Sequence, residues 1–211
     1  ESASGRTQQV AFGWYASLPL PGDYDGDGLT DQCVYDPQES RWYFRASRAG
    51  RYTAQWGEVE TVPVPADYDG DGATDMAVYE PYSGEWNILK SSTGRQVLHG
   101  WGWAEGIPVP ADYDGDGRTD IAVFHRADCA WYIALSSGGS RLVRYPLRGT
   151  IPVPADYDGD GKADLAVYHP ESGYWFVLQS TTRRIVSQWW GAPTAHPIHL
   201  YSTIHAWFDL P

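Results

Sequence analysis

The chain has 211 residues, 27 acidic against 15 basic side chains and a formal charge of −12. That is enough for one substantial domain, and it is a poor composition for nucleic acid or an anionic membrane, because counterion release needs clustered basic residues. No apolar run approaches the roughly 20 residues of a membrane-spanning helix, so a soluble protein without a membrane span is expected.

The charge has a local origin. The string Asp-Tyr-Asp-Gly-Asp-Gly occurs four times, starting at Asp23, Asp67, Asp112 and Asp156, and each copy has a further aspartate at its ninth position. Sixteen of the 27 acids belong to these loops. Four bound divalent cations would leave a net charge of about −4, an ordinary surface value. The copies recur every 44 or 45 residues, the length of a four-stranded propeller blade.

In chain order, each copy opens with a proline-bounded extended approach, as at Pro63 and Pro65, where the missing N–H limits ladder pairing. After the loop comes a short apolar run, such as Met76 to Tyr79 or Leu165 to Tyr168, that reads as a buried strand. A turn follows, as at Pro81 to Gly84 and Pro170 to Gly173. A tryptophan then stands 19 residues after the first loop aspartate in all four copies, at Trp42, Trp86, Trp131 and Trp175. A last strand ends at Trp-Gly in three copies, at Trp56, Trp101 and Trp190, and at Tyr145-Pro146 in the third. No stretch has helical periodicity, so the class is all-β, a β-propeller.

The ends look like parts of one blade. Phe12-Gly13 stands at the same offset before its loop as the Trp-Gly pairs, and Trp207 to Leu210 repeats the Trp-x-x-Leu of Trp86 to Leu89 without a metal loop. A five-bladed ring is expected: one domain over 1–211, with loop-bearing blades at about 19–62, 63–107, 108–151 and 152–196. The fifth blade would be 197–211 plus 7–14, with Gln8 to Gly13 as its outer strand. Closure would remove open sheet edges. Frayed half-repeats of an open arc or of a cut-down larger ring are the alternative, and in a fibre the N-terminal strand would complete a neighbour's blade.

The loop chemistry points to calcium, which prefers six to eight hard oxygen ligands. Carboxylates at positions 1, 3, 5 and 9 with the carbonyl at 7 supply five or six, and glycine at position 6 permits the reversal that turns them inward. Position 12 is Val34, Val78, Val123 or Val167, not the glutamate of an EF-hand. In these residues the chain resembles the FG-GAP or VCBS repeats, the blades of integrin-α-like propellers found in secreted bacterial proteins and some lectins, over about residues 19 to 196. The resemblance implies about four calcium ions. Their ligands would be Asp23, Asp25, Asp27, Leu29 and Asp31; Asp67, Asp69, Asp71, Ala73 and Asp75; Asp112, Asp114, Asp116, Arg118 and Asp120; and Asp156, Asp158, Asp160, Lys162 and Asp164. Leu29, Ala73, Arg118 and Lys162 would act through their carbonyls. Four near-identical sites argue for scaffolding.

Most of the aromatic residues read as core. Trp14, Trp103 and Trp189 break the repeat pattern and are candidate platforms for a glycan or a protein partner. His196, His199 and His205 lack a helical metal spacing. Cys33 and Cys129 read as unpaired thiols, with a disulfide as the alternative. With no nucleophile elbow, catalytic triad or phosphate loop, no catalytic residue is assigned and the chain is not expected to be an enzyme. A start at Glu1 and loops suited to abundant calcium favour a secreted or cell-surface protein. The function expected is a calcium-stabilised binding or adhesion propeller recognising glycan or protein at blade junctions. The alternative is the self-associating subunit of a fibre or surface assembly.

Overall fold

In the computed structural model, residues 9–192, 195 and 197 are described, and they hold sixteen strands and no helix. The first blade contains β1 (Leu18–Pro19), β2 (Gln32–Asp36), β3 (Arg41–Ala46) and β4 (Gly50–Gln55). The second contains β5 (Val62–Pro63), β6 (Met76–Glu80), β7 (Glu85–Leu89) and β8 (Gln96–Gly100). The third has β9 (Gly106–Pro108), β10 (Ile121–His125), β11 (Ala130–Ala134) and β12 (Ser140–Arg144), and the fourth β13 (Ile151–Pro152), β14 (Leu165–His169), β15 (Tyr174–Leu178) and β16 (Ile185–Trp189). Every sheet is an antiparallel meander of four strands in chain order, and together they form a propeller.

The residue pattern of each strand follows its depth in the blade. The second strands are buried on both faces, as in Ala122, Val123 and Phe124 of β10, which is why they read as continuous apolar runs. The third strands alternate, with Trp42 and Phe44, Trp86 and Ile88, or Trp131 and Ile133 turned to the core. The fourth strands are largely exposed and correspondingly polar. The proline-rich first strands are only two or three residues long, since proline cannot donate to the ladder.

Equivalent bonds lock successive blades together. The in-register tryptophans donate Nε1–H to a carbonyl at the end of their own blade: Trp42 to Trp56 at 2.9 Å, Trp86 to Trp101 at 2.7 Å and Trp175 to Trp190 at 2.7 Å. The Trp-Gly tryptophans reach into the next blade, Trp56 Nε1 to the carbonyl of Asn87 at 3.2 Å and Trp101 Nε1 to that of Tyr132 at 3.0 Å. Blade three departs from this scheme. Tyr145 stands where the others have tryptophan, and both its hydroxyl and Trp131 Nε1 are buried without a hydrogen-bond partner.

The expected fifth blade falls mostly outside the described residues, as do Trp207 to Leu210 and the three clustered histidines. Of its predicted outer strand, residues 9–13 are described and are not in a strand. Even so, Gly13 has φ +97° and packs on Val34 of blade one, as Gly57 at φ +99° packs on Val78 of blade two. The segment therefore meets blade one as an inter-blade connection does. Cys33 and Cys129 are free and buried, and burial pushes the Cys33 thiol up to about 12, a small apolar side chain in effect.

Trp86 tests this core. Trp86→Ala should lower the unfolding free energy by about 3–5 kcal/mol in urea titration, whereas the same truncation at exposed Trp190 should cost less than about 1 kcal/mol.

Candidate metal centres and the opposite face

The four aspartate loops join the first and second strands of each blade. An isolated bridge closes each base, Gly22 with Asp31, Ala66 with Asp75, Ala111 with Asp120 and Ala155 with Asp164. The tyrosine at position 2 anchors the loop from within, its hydroxyl donating to the carbonyl four residues back: Tyr24 to Leu20, Tyr68 to Val64, Tyr113 to Val109 and Tyr157 to Val153, at 2.6–2.9 Å. Glycines at positions 4 and 6 all have positive φ, from +67° at Gly26 to +88° at Gly72, which side chains with a Cβ adopt at a cost.

Each carboxylate has a distinct place. At position 1, both oxygens of Asp67 accept backbone N–H bonds, from Gly70 at 2.6 Å, Asp71 at 3.2 Å and Gly72 at 2.8 Å; Asp23 and Asp156 repeat the pattern, and Asp112 accepts from Gly115 and Gly117. At position 5, Asp71 accepts from Ala73 N–H at 2.8 Å and from the Ser91 hydroxyl at 2.9 Å. Bonds from Ser47 and Leu29 hold Asp27 below the usual carboxylate range, and those from Ser180 and Lys162 do the same for Asp160.

Position 9 is the buried one. Asp75 takes the N–H of Tyr68 on Oδ2 at 2.9 Å and the N–H of Ser91 on Oδ1 at 2.7 Å, and Asp31, Asp120 and Asp164 do the same with Ser47, Ser136 and Ser180. It ties the loop to the turn between the third and fourth strands. Burial raises the carboxyls of Asp75 and Asp120 despite these bonds.

Position 3 supplies the test of fit to a cation. Oδ1 of Asp25, of Asp69 and of Asp158 is buried with no hydrogen-bond partner, while the other oxygen of each is held from the third-to-fourth-strand turn, by Arg48 and Ala49 N–H, the Ser92 hydroxyl and Thr181 respectively. An orphaned carboxylate oxygen beside two further carboxylates is costly without a positive charge, so the residues fit a hard divalent ion. Carboxylate oxygens of Asp23, Asp25 and Asp27 lie within 4.8 Å of one another, as do those of Asp67, Asp69 and Asp71, of Asp112, Asp114 and Asp120, and of Asp156, Asp158 and Asp164. Asp116 and Asp160 are thus outside the tightest group in their loops, and Asp31 and Asp75 in theirs. At position 7, the N–H groups of Leu29, Ala73, Arg118 and Lys162 each bond the position 5 carboxylate.

The serines were missed by sequence reasoning, although a signal existed. Ser47, Ser91, Ser136 and Ser180 all stand 24 residues after the first loop aspartate. Their equal spacing marks them as part of the repeat unit.

The opposite end of each blade carries the second-to-third-strand turns and the inter-blade connections. There Trp14, 45% exposed, meets Tyr43 edge-on at 5.0 Å, and Tyr43 donates to Glu39 at 3.4 Å. Trp103 repeats the arrangement, edge-on to Tyr132 at 4.7 Å, with the Tyr132 hydroxyl on Asp128 at 2.9 Å. His125 adds to the second cluster: Nδ1 lies 2.5 Å from Asp128, Nε2 lies 3.7 Å from Glu105, and its ring meets Trp103 at 5.5 Å. Burial works to raise the Asp128 carboxyl, but the bonds from His125 and Tyr132 outweigh it and hold it low. Trp189 is 59% exposed on outer strand β16, away from both clusters, and its neighbour Trp190 is 75% exposed.

These loops repeat a known unit. Residues 112–167 match the FG-GAP-like repeat. The chain is a β-propeller that carries an FG-GAP-like repeat at residues 112–167. No curated protein matches it in sequence. Among solved structures it is similar to a catalytically inactive virginiamycin B lyase from Staphylococcus aureus bound to quinupristin, at 9% identity and TM-score 0.57, over 89% of this chain and 60% of that one. A streptogramin B lyase is similar at 12% identity and TM-score 0.53, over 80% of this chain and 53% of the other. The chain thus spans 53–60% of the length of these proteins.

Such identities show the fold alone. They nevertheless correct the expectation that this propeller is not an enzyme: propellers of the same fold include lyases, so the lack of a familiar catalytic motif does not argue against catalysis. Among the described residues no helix is long and apolar enough to cross a membrane.

The buried carboxyls give a pH test in the absence of metal. Asp75 and Asp120 have folded values above the unfolded 3.8, so folding takes up protons there. Their contribution is fully present below pH 3.8 and is lost as pH rises through the raised folded values. In chelator, the double variant Asp75→Asn/Asp120→Asn should show a flatter dependence of the urea midpoint on pH just above 3.8 than the wild type.

Proposed function

We propose that this FG-GAP propeller is an extracellular, calcium-stabilised binding module that engages a glycan or protein at blade junctions on the face opposite its aspartate loops. The observation that carries the reading is the division of labour between the two faces. One face repeats the same acidic loop four times, which suits a scaffold and gives no discrimination. Among the described residues, the other bears the tryptophan–tyrosine–carboxylate cluster at two connections, Trp14–Tyr43–Glu39 and Trp103–Tyr132–Asp128.

The parts have complementary chemistry. Trp14 presents exposed apolar ring surface and the half-buried Trp103, packed against the core, presents less, while the carboxylate of Glu39 beside Trp14 can accept hydrogen bonds from hydroxyl or amide groups, the combination that sugars and polar peptide segments require. Asp23, Asp25, Asp27 and their equivalents would hold calcium, which supplies the positive charge that the orphaned carboxylate oxygens need. Abundant extracellular calcium suits loops of modest affinity.

Two measurements check this reading. With free calcium at about 100 times Kd, two filled sites alone correspond to about 5 kcal/mol and a rise of about 10–20 °C in Tm, so a melt unchanged by EDTA removes the calcium. On a glycan array and in pull-down from extracellular fluid, the calcium-loaded protein should show saturable binding that Trp14→Ala/Trp103→Ala abolishes without lowering Tm by more than about 5 °C. Binding untouched by that variant would place the ligand elsewhere.

The N-terminal segment favours a second reading, a subunit joined to its neighbours by strand complementation. Residues 11–14 meet blade one as an inter-blade connection does, yet residues 9–13 are not in a strand. Deleting residues 1–14 should leave a monomer of lower Tm if the segment serves its own chain, and should dissolve assemblies into protomers if it serves another.

A further inference from the structure

Adjacent loops touch, and they do so by a repeated rule. The N–H at position 8 of the second, third and fourth loops donates to the carbonyl of the position 1 aspartate in the preceding blade: Thr74 to Asp23 at 2.6 Å, Thr119 to Asp67 at 2.8 Å and Ala163 to Asp112 at 2.7 Å. The residue at position 7 therefore lies over the preceding loop. A Cβ placed on Gly26 would meet Ala73 Cβ at 3.5 Å, one on Gly70 would meet Arg118 Cγ at 2.9 Å and Nε at 3.3 Å, and one on Gly115 would meet Lys162 Cε at 2.9 Å. Glycine at position 4 leaves room for that neighbour as well as permitting the turn.

The chemistry of position 7 differs from junction to junction. Loop one is overlain by an alanine methyl, loop two by a guanidinium and loop three by an ammonium stem. Neither Arg118 nor Lys162 forms an ion pair within 4.0 Å among the described residues, and the Lys162 charge adds to the bonds from Ser180 and from its own N–H that lower Asp160 in its own loop. We infer that the side chain at position 7 belongs functionally to the metal centre of the preceding blade, and that Arg118 sets the divalent-cation affinity of the Asp67, Asp69 and Asp71 centre below that of the Asp23, Asp25 and Asp27 centre.

The sign follows from charge. A fixed positive group over three carboxylates stabilises the metal-free loop and repels an incoming dication, so removing it raises affinity while loosening the empty state. At a separation of several ångströms through partly solvated surface, a unit charge changes affinity about threefold to tenfold at low salt, and much less at 1 M salt. Three centres of near-identical ligand sequence thereby acquire a graded response to calcium. The gradation is written in a residue whose carbonyl alone had been assigned a role, and within its neighbour's loop.

This inference rests on the calcium reading above, and its test separates the two. The amides of Gly28, Gly72 and Gly117 each bond the position 1 carboxylate of their own loop at 2.8, 2.8 and 2.9 Å, so each reports its own centre. Calcium titration of the 15N-labelled full chain should show Gly28 saturating before Gly72. Arg118→Gln should shift the Gly72 midpoint to threefold to tenfold lower calcium, with less than a twofold change at Gly117 in the loop that contains the substitution. Conversely, Ala73→Arg should move the Gly28 midpoint upward by a similar factor. An unmoved Gly72 midpoint in Arg118→Gln, or a larger change at Gly117, overturns the cross-blade assignment while leaving calcium binding intact. No calcium-dependent shift at any of these glycines in the wild type overturns both.

Discussion

The rest of the structure depends on a buried carboxylate with both oxygens filled by backbone N–H groups. The position 9 aspartate, Asp75 in blade two, faces a loop amide with one oxygen and the amide of Ser91 with the other. These two amides belong to connections at the same end of the sheet that are otherwise independent, one between the first and second strands and one between the third and fourth. A single side chain thus fixes the loop relative to the hairpin across the inner three strands. Because the carboxylate is withdrawn from water, its ionisation is costly in the empty loop, and a nearby dication offsets that cost.

Most of the architecture is legible in the sequence because the repeat is a rigid ruler. Fixed offsets from the first loop aspartate locate the buried strand, the core tryptophan and the blade end, and the structure places β2, β6, β10 and β14, Trp42, Trp86 and Trp131, and Trp56 and Trp101 accordingly. Periodicity in one copy would have been ambiguous, since a four-residue apolar run can be strand or buried helix. Repetition in four copies removes the ambiguity, because each copy must solve the same packing problem.

What sequence could not show is contact between copies. The position 3 and position 5 aspartates bond to serine or threonine groups 20 to 23 residues away, and position 7 lies over a loop some 45 residues earlier. Neither relation has a local signal, although the in-register serines gave an indirect one. The aromatic clusters were only half visible. Trp14 and Trp103 stood out as departures from the repeat, but their tyrosine and carboxylate partners are placed by the turn on the neighbouring blade.

Tyr145 has a mechanical consequence. At the first two junctions an indole pins one blade to the third strand of the next, so those blades share a directional fastener as well as apolar contact. Between blades three and four that fastener is missing, and two buried polar atoms stay unbonded on the near side of the seam. That seam is held by apolar contact and by the loop bond from Ala163 N–H to the Asp112 carbonyl at 2.7 Å, so it carries less directional restraint than the first two junctions.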